Sequence, residues 1–384
     1  MPALNPVLAQ LPEYPIVRIE AAKERLRAAG REVFDFGTGD PIEPTPEFVR
    51  RALLEAVPAV CRYPTYRGLP ALRQAAAGYL ARRFDVTLDP DAHVLGTLGS
   101  KEAVFSTALA FVDRAGPRRV VAYPTPGYAV YEAGARFAGA EALGVPLRAG
   151  QGHLLEPWAL PPEVRARLAL VWTNYPHNPT GAVAPADYLA RLARFAREED
   201  VVVCADECYV DVHAGPPPGS LLAHGTTNVL AFHSCSKRSG MTGYRSGFVA
   251  GDPALIATLA KLRPNLGTAA QAFVEAAGAA AWRDDAHAAA RNAVFARKRA
   301  LFDAFFARAG LEQAGGPGTF FLWFRAPDGD DEAYARALLE RVGVVVVPGS
   351  YFGPGGEGFC RLALVPDEAT CAAAITAWER AGPG

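Results

Sequence analysis

The sequence predicts an α/β fold with a mostly parallel sheet, and three observations support this. Two continuous apolar runs, 168–173 and 201–205, are typical of strands that are buried on both faces. A segment with helical periodicity, 187–198, lies between them, and similar strand–helix alternation recurs before and after it. Beyond residue 309 the pattern changes to short strands and helices, which indicates a second, smaller α+β unit.

Each element of the larger unit follows from periodicity and from turn signals. Residues 68–83 begin at Gly-Leu-Pro and place Leu72, Ala76 and Leu80 on one face of a helix. The strand at 119–123 is ended by a Pro-Thr-Pro-Gly turn. The predicted helices are 46–57, 68–83, 100–112 and 187–198, and the predicted strands are 93–97, 119–123, 168–173, 201–205, 229–233 and 246–250.

The C-terminal part of the chain has a different organisation. Residues 254–282 are predicted to be mostly helical with a break at Arg263-Pro264-Asn265, and 285–309 to form one long amphipathic helix. The elements predicted after it are a strand at 318–324, a helix at 331–341, strands at 342–347 and 358–364, and a helix at 366–378. We therefore predict a large domain over 46–282 and a small domain made of 283–384 and an N-terminal arm, 1–45.

Composition excludes several classes of protein. The chain has 384 residues and a formal net charge of -1, so it lacks the basic footprint of a nucleic-acid-binding protein. It contains no uncharged apolar run of about 18 residues, which predicts no membrane span. The first thirty residues show no secretory apolar core, which predicts a cytoplasmic protein. The 6 cysteines and 7 histidines show no paired ligand spacing, so no metal is expected.

The most informative segment of the chain surrounds Lys237. Ser234 and Ser236 precede the lysine, and Arg245 follows it within a glycine-rich stretch. A lysine amine can form a Schiff base with an aldehyde, while hydroxyl groups and an arginine can bind a phosphate. Pyridoxal 5'-phosphate (PLP) carries both groups, so the segment predicts a PLP site. The alternative is a polar surface loop with a solvated lysine.

Asp206 and Tyr209 follow a predicted buried strand, 201–205. This position is the carboxyl edge of a parallel sheet, where ligands bind in α/β proteins. A carboxylate there can keep the pyridine nitrogen of PLP protonated, so that the ring accepts electrons. Tyr209 can reach the phenolic oxygen of the ring. The alternative for Asp206 is a helix N-cap.

Two further segments follow predicted strands. Asn178 begins Asn-Pro-Thr-Gly shortly after the strand at 168–173, although these residues are also common in simple turns. Gly99 and Ser100 open a helix directly after a strand, where free N–H groups and the helix dipole suit a phosphate. Lys101 can add positive charge there or remain solvated.

These segments together resemble the class I and II, or fold type I, PLP-dependent aminotransferases over nearly the whole chain. The motifs that carry the resemblance are Ser-x-Ser-Lys at 234–237 with Gly-x-Arg-x-Gly at 243–247, Asp-Glu-x-Tyr at 206–209 and Asn-Pro-Thr-Gly at 178–181. The resemblance implies a seven-stranded, mostly parallel sheet and PLP as the cofactor. It also implies amino transfer between an amino acid and a 2-oxo acid, with 2-oxoglutarate and glutamate as one pair.

The resemblance implies roles for further residues. Tyr128 matches an aromatic residue that stacks on the cofactor ring. Asn178 matches an asparagine that donates to the ring's phenolate oxygen and helps fix the substrate carboxylate. Arg361 matches the arginine that binds the α-carboxylate, and Gly39 a glycine that approaches the substrate. Tyr63 matches a tyrosine that reaches the phosphate of the neighbouring subunit, which implies a homodimer with shared sites. Alternatives are a core tyrosine for Tyr128 and a buried ion pair for Arg361.

Three stretches resemble N-succinyl-diaminopimelate aminotransferases in particular: 5–15, 236–252 and 348–351. They imply N-succinyl-L,L-diaminopimelate as the amino donor, in lysine biosynthesis. Other donors stay open, namely aspartate, alanine, aromatic amino acids and LL-diaminopimelate, as does a lyase, racemase or decarboxylase on the same fold. Arg18, Arg67 and Arg263 are candidate ligands for a distal carboxylate, and the sequence does not rank them.

Two other interpretations are weak. A PLP-sensing regulator needs a DNA-binding module, for which the chain has neither room nor a basic recognition helix. Residues 353–358 match Gly-x-Gly-x-x-Gly, but they contain a proline and precede a strand, so they do not predict a dinucleotide site.

Overall fold

The structure, a computed structural model, describes residues 5–10 and 16–382. Its α-helices are α1 Pro6–Gln10, α2 Ile16–Ala28, α3 Glu47–Ala56, α4 Pro70–Phe84, α5 Pro90–His93, α6 Gly99–Phe111, α7 Val130–Phe137, α8 Pro162–Arg165, α9 Ala186–Glu198, α10 Cys235–Arg238, α11 Pro253–Leu266, α12 Ala272–Arg283, α13 Ala286–Ala309, α14 Asp331–Val342 and α15 Glu368–Ala381. Its strands are β1 Phe34–Asp35, β2 Val94–Thr97, β3 Val120–Thr125, β4 Glu141–Pro146, β5 Leu168–Asn174, β6 Val202–Asp206, β7 Val229–Ser234, β8 Gly247–Gly251, β9 Phe321–Arg325, β10 Val344–Val345, β11 Val347–Pro348 and β12 Phe359–Ala363.

A seven-stranded sheet in the order β2-β8-β7-β6-β5-β3-β4 forms the centre of the larger unit. β3 to β7 pair in parallel, and β8 runs antiparallel to both of its neighbours. All residues of β5 and β7 are buried, because helices cover both faces of the sheet. This confirms the predicted fold class, including the mostly parallel sheet of seven strands.

Helices form where apolar residues recur on one face and where their ends are capped. In α9 the buried residues Tyr188, Leu189, Leu192 and Phe195 follow helical spacing. In the long helix α13 the buried phenylalanines Phe295, Phe302 and Phe306 lie on one side, and Gly310 ends the helix in a left-handed conformation. No helix in the described part of the chain is long and apolar enough to cross a membrane.

The structure corrects two predicted boundaries and adds elements that were not predicted, among them α7 and β4. The helix does not break at Arg263-Pro264-Asn265: α11 includes Pro264, continues to Leu266 and ends at Gly267, which has a left-handed conformation. The predicted strand 342–347 is two short strands, β10 and β11, which belong to different sheets. α7 and β4 were not predicted, and β4 is a half-exposed edge strand containing a glycine and a proline.

The second unit contains two small sheets. β1 pairs in parallel with β10, and β11, β12 and β9 form an antiparallel sheet. Their inner faces pack with α13 and α15 into an aromatic core, which also receives Tyr209 and Val212 from the segment that follows β6. The residues of the two main clusters around the large sheet lie between Val49 and Trp282. The domain boundaries at 45/46 and 282/283 stay a prediction.

Glu275 on α12 fixes the segment that precedes α4. Its side chain is buried, at 2% exposed, and one carboxylate oxygen accepts a hydrogen bond of 2.6 Å from the Leu69 N–H. Burial raises the pKa of Glu275 to about 7, and the Leu69 N–H, Arg263 and Arg73 oppose that rise. The folded chain therefore binds this proton more tightly than the unfolded chain does. The contribution of Glu275 to stability is present at acid pH and is lost as pH rises from its ordinary pKa of 4.5 to about 7.

We expect Glu275→Gln to stabilise the protein at about pH 8 by roughly 3 kcal/mol at most, because glutamine keeps an acceptor for Leu69 without a buried charge. Thermal unfolding of both proteins between about pH 5 and pH 8 measures this, and the Tm advantage of the variant should grow with pH. Glu163→Gln, an exposed glutamate, serves as the control and should leave the pH profile unchanged. A variant that keeps the wild-type pH dependence would contradict the assignment.

Candidate active site

The carboxyl ends of three neighbouring strands bring the predicted residues together. β5 ends at Asn174, β6 at Asp206 and β7 at Ser234, and Asn174 pairs directly with Asp206 in the sheet. The side-chain amide of Asn174 also donates to the Asp206 carbonyl at 2.8 Å, and its amide oxygen accepts from the Asn178 N–H at 2.9 Å. Asn174 thus ties the Asn-Pro-Thr-Gly loop to the strand that carries Asp206.

Asp206 is buried at the end of β6, and one of its two carboxylate oxygens accepts a short hydrogen bond. The Tyr131 hydroxyl donates to its Oδ2 at 2.9 Å, while Oδ1 receives a long contact of 3.4 Å from the Cys208 N–H. Burial raises the pKa of Asp206, and the hydrogen bonds from Tyr131 and Cys208 oppose the rise. Tyr131 was not predicted. Tyr131 lies on α7, a helix that the sequence pattern did not indicate, three residues after Tyr128.

Lys237 lies on the short helix α10, which begins directly after β7. The Ser234 hydroxyl caps this helix by accepting from the Ser236 N–H at 3.2 Å. The Lys237 ammonium donates to the Gly39 carbonyl and lies 5.7 Å from the centre of the Phe320 ring. Burial lowers the pKa of Lys237, and Cys208 and Asp40 oppose the shift. A lowered pKa favours the neutral, nucleophilic amine.

Arg238, the residue after the lysine, anchors α10 and was also not predicted. It is 4% exposed, and its guanidinium carbon lies 4.8 Å from the centre of the Tyr79 ring and 5.0 Å from that of the Trp282 ring. Its guanidinium donates to the Asp211 carboxylate at 2.8 Å and to Asp285 at 2.7 Å. It therefore links the helix that carries Lys237 to the segment after Asp206 and to the start of α13.

An anion cradle forms where α6 begins. Gly99 has φ +72°, and a Cβ added there would lie 2.6 Å from a guanidinium nitrogen of Arg245. That guanidinium donates to the carbonyls of Leu98 and Thr242, at 3.1 and 2.8 Å. The Lys101 ammonium lies 5.9 Å from the centre of the Tyr128 ring. A glycine at this position lets the Arg245 guanidinium approach the helix N-terminus, so that positive charge and backbone N–H groups lie side by side.

The buried Arg361 on β12 faces the same edge of the large sheet. Its guanidinium donates to the Asn178 side-chain oxygen at 2.9 Å and to the Gly37 carbonyl at 2.8 Å. Its guanidinium carbon lies 4.2 Å from the centre of the Phe321 ring and 4.6 Å from the centre of the Phe352 ring. Burial lowers the pKa of Arg361 to about 10, and Tyr209 opposes the shift. The arginine is therefore cationic at neutral pH and has no carboxylate partner within the described residues.

The structure does not bring every predicted residue to this cluster. Tyr63 is fully exposed, at 101%, and makes no hydrogen bond or ring contact with the other predicted residues. Arg263 forms an ion pair with Glu102, to which it donates two hydrogen bonds of 2.9 Å. It is therefore not free to bind a distal carboxylate. Arg67 donates to the Asp91 carbonyl, and the side chain of Arg18 lies outside the described residues.

Residues 31–377 match the family of class I and II aminotransferases. The chain belongs to this family. The match confirms the predicted resemblance and, with it, a PLP-dependent transaminase. Amino transfer is therefore the reaction of this chain, and the lyase, racemase and regulator interpretations are not supported.

Relatives and solved structures agree with the family. Proteins named LL-diaminopimelate aminotransferase from Nitratidesulfovibrio vulgaris and Gloeobacter violaceus are 35% and 37% identical, over 96% and 94% of both chains in each comparison. An aminotransferase of Neisseria meningitidis is 32% identical with a TM-score of 0.90, over 97% of this chain and 99% of that chain. A mutant aspartate aminotransferase of Thermus thermophilus is 26% identical with a TM-score of 0.91, over 99% and 100%. These names do not confirm an N-succinylated donor.

The residues of this aminotransferase fit PLP. Oδ1 of Asp206 accepts one long hydrogen bond and can accept another from a protonated ring nitrogen. A cation at that position would favour the ionised form of the carboxylate. The cradle at Gly99 and Arg245 provides N–H groups and positive charge for a phosphate. The Lys237 amine lies at the same edge of the sheet, on the helix α10 that follows β7, the strand next to β6.

Proposed function

We propose that this aminotransferase moves an amino group from LL-diaminopimelate to 2-oxoglutarate. The observation that carries the donor is the identity of 35–37% to relatives of that name over more than nine-tenths of the chain. The geometry supports an α-amino acid, because Arg361 offers a buried, planar cation next to the loop that contacts Lys237.

Three residues carry the proposed chemistry. Bound PLP supplies an electron sink for the electrons of the Cα–H bond. Asp206 would hold a proton on the ring nitrogen, and the phenol of Tyr209 would donate to the ring's phenolic oxygen. Lys237 would hold the cofactor through its amine, and the same amine, once free, would take and return the proton at the substrate Cα. Burial raises the pKa of Tyr209 well above its usual range, so it remains a hydrogen-bond donor.

The remaining predicted residues hold the cofactor and the substrate. We propose that the phosphate accepts hydrogen bonds from backbone N–H groups at the start of α6, from two serine hydroxyls on α10 and its cap, and from two basic side chains. Tyr128 stacks on the cofactor ring. The phosphate ligands are Gly99, Ser100, Lys101, Ser234, Ser236 and Arg245. Arg361 and Asn178 bind the α-carboxylate, and the backbone of Gly39 borders the substrate.

A panel of amino donors with 2-oxoglutarate tests the donor. We expect kcat/KM for LL-diaminopimelate to exceed that for alanine and for an aromatic amino acid by ~10²-fold or more, because missing polar contacts in a dedicated site cost that much. Aspartate and acetylornithine complete the panel. A preference of similar size for aspartate or an aromatic donor would overturn the proposed donor and leave the aminotransferase family unaffected.

N-succinyl-L,L-diaminopimelate is the second candidate donor. It is supported by the stretches 236–252 and 348–351, whereas part of the third stretch, 11–15, lies outside the described residues. Residues 353–358 form a glycine-rich loop in which Gly353 and Gly355 face Thr125 and Pro126 without side chains of their own. A kcat/KM at least ~10-fold higher for the succinylated compound would establish this candidate.

We propose that the enzyme is a homodimer with shared sites, in the cytoplasm. An open groove of about 1250 Å³ begins at the phosphate cradle, where Lys101 and Arg245 line it, and continues over the apolar side chains of Phe105, Leu109 and Phe273. The segment that carries Tyr63 also exposes Val57 and Val60, at 54% and 73%. A second copy of the chain that covers these surfaces would bring Tyr63 to the partner's phosphate site.

Tyr63→Phe tests the shared site. Removing a hydroxyl that donates to a phosphate is expected to raise the Kd for PLP by ~10-fold or more, measured by titration of the apoenzyme. Tyr66→Phe is the matched control and should leave the Kd unchanged. In hybrid dimers of Tyr63→Phe and Lys237→Ala subunits, the site with Lys237 receives a wild-type Tyr63, so its Kd should be wild-type. An active monomer in light scattering would refute the proposal.

A further inference from the structure

The loop between β11 and β12 is closed by one buried carboxylate. Asp331, the first residue of α14, is 6% exposed. Its Oδ2 accepts from the Ser350 N–H at 2.8 Å, and its Oδ1 accepts from the Gly358 N–H at 3.1 Å. Both ends of the loop 350–358 are therefore bonded to the same side chain.

The enclosed loop borders the candidate substrate site. It carries Phe352, whose ring lies 4.6 Å from the Arg361 guanidinium carbon. The Phe352 carbonyl accepts from the Gly127 N–H at 2.8 Å, which joins the loop to the turn before Tyr128. The loop thus contacts both the proposed carboxylate ligand and the segment beside the proposed cofactor ring.

Helix capping does not account for the Asp331 carboxylate. The N-cap of α14 is the exposed Asp330, whose Oδ1 accepts from the Ala333 N–H at 2.9 Å. Burying a second carboxylate next to it is costly unless that carboxylate is hydrogen-bonded. Both of its described side-chain bonds go to the loop, so its structural effect is on the loop.

We propose that Asp331 is a positioning residue for substrate binding: it fixes the loop 350–358 so that Phe352 remains against Arg361. Phe321 lies 4.2 Å from the same guanidinium carbon, so two rings restrict the movement of this side chain. A planar guanidinium held in place binds a carboxylate through two parallel hydrogen bonds with little loss of freedom. This inference rests on the proposed role of Arg361 as the α-carboxylate ligand.

The first test is the effect of Asp331→Asn on KM and kcat. The variant keeps the shape of the side chain but offers an N–H₂ group to one of the two loop N–H donors. Loss of a hydrogen bond to a charged group corresponds to about a tenfold effect, so we expect KM for the amino donor to rise ~10-fold while kcat changes by less than ~3-fold. The Kd of a non-reacting dicarboxylate, succinate, should rise by the same factor.

Matched variants separate positioning from stability. Asp330→Ala removes the cap of the same helix, lowers Tm and is expected to leave KM within ~2-fold of wild type. In a Phe352→Ala background, Asp331→Asn should add less than ~2-fold to KM, because the group that it positions is gone. Full additivity of the two changes, or an unchanged KM in folded Asp331→Asn, would overturn the inference.

Arg361→Lys distinguishes failure of this inference from failure of the proposed function. If Arg361 binds the α-carboxylate, this variant raises KM by ~10²-fold, since lysine cannot form the paired hydrogen bonds. A raised KM in Arg361→Lys with an unchanged KM in Asp331→Asn contradicts the Asp331 inference alone. An unchanged KM in Arg361→Lys contradicts the role of Arg361 itself.

Discussion

Lys237→Ala is expected to abolish covalent attachment of the cofactor and to lower kcat by ~10³-fold or more. The lysine lies on α10, which follows the strand next to β6, and its amine contacts the Gly39 carbonyl. Without it, neither covalent attachment nor proton transfer at the substrate Cα has a side chain to perform it. Steady-state turnover and the visible absorbance of the purified protein measure the two effects.

Lys261→Ala is a suitable control, because Lys261 is exposed on α11, away from the cluster. It should retain wild-type turnover and colour. If Lys237→Ala keeps a covalently bound, borohydride-reducible cofactor, the assignment is wrong.

Asp206→Asn is expected to lower the rate of the chemical step by ~10²- to 10⁴-fold while PLP stays bound. Asparagine fits the same space and can still contact Tyr131, but it has no charge to hold a proton on the ring nitrogen. A single-turnover measurement with saturating donor isolates this step.

Tyr131→Phe provides the comparison for Asp206. It removes one hydrogen bond to the carboxylate and leaves the charge, so the rate of the chemical step should fall by no more than ~10-fold. An Asp206→Asn enzyme with bound PLP and a near-normal single-turnover rate would show that the carboxylate does not act on the ring.

The fold was predictable where burial alone determines the pattern. The runs at 168–173 and 201–205 are apolar throughout because both faces of β5 and β6 are covered, and the structure places both near the middle of the sheet. The strand β4 was missed because an edge strand is half exposed and has no such run. The position of Pro264 was misjudged because a proline in the last turn of a helix resembles, in sequence, a proline that ends one.

The site was predictable where one segment carries both the reactive group and its flanking residues. Asp206 ends a buried strand, Lys237 and Asn178 each follow one, and parallel strands bring such positions to one edge. Tyr131 and Arg238 were missed because their importance comes from partners distant in sequence, namely Asp206 and Asp211. The same holds for Phe321 and Phe352, whose rings contact Arg361 and come from different segments of the second unit.

Resemblance in short stretches of sequence was not enough to predict the amino donor. Three short stretches favoured an N-succinylated donor, while relatives similar over nearly the whole chain have names that refer to LL-diaminopimelate. Short stretches near the lysine are determined mainly by cofactor binding, which all aminotransferases share. Side chains that select the donor are spread over several segments, so short stretches identify it poorly.

Borohydride reduction followed by peptide mapping, with and without prior addition of LL-diaminopimelate, tests the account most directly. Without the donor, the cofactor label should be found on the peptide that contains Lys237, because this amine holds the cofactor. With the donor and no 2-oxo acid, the label should disappear from that peptide, because amino transfer releases the lysine. A label on another lysine such as Lys101, or a Lys237 label that persists with LL-diaminopimelate present, would contradict the account.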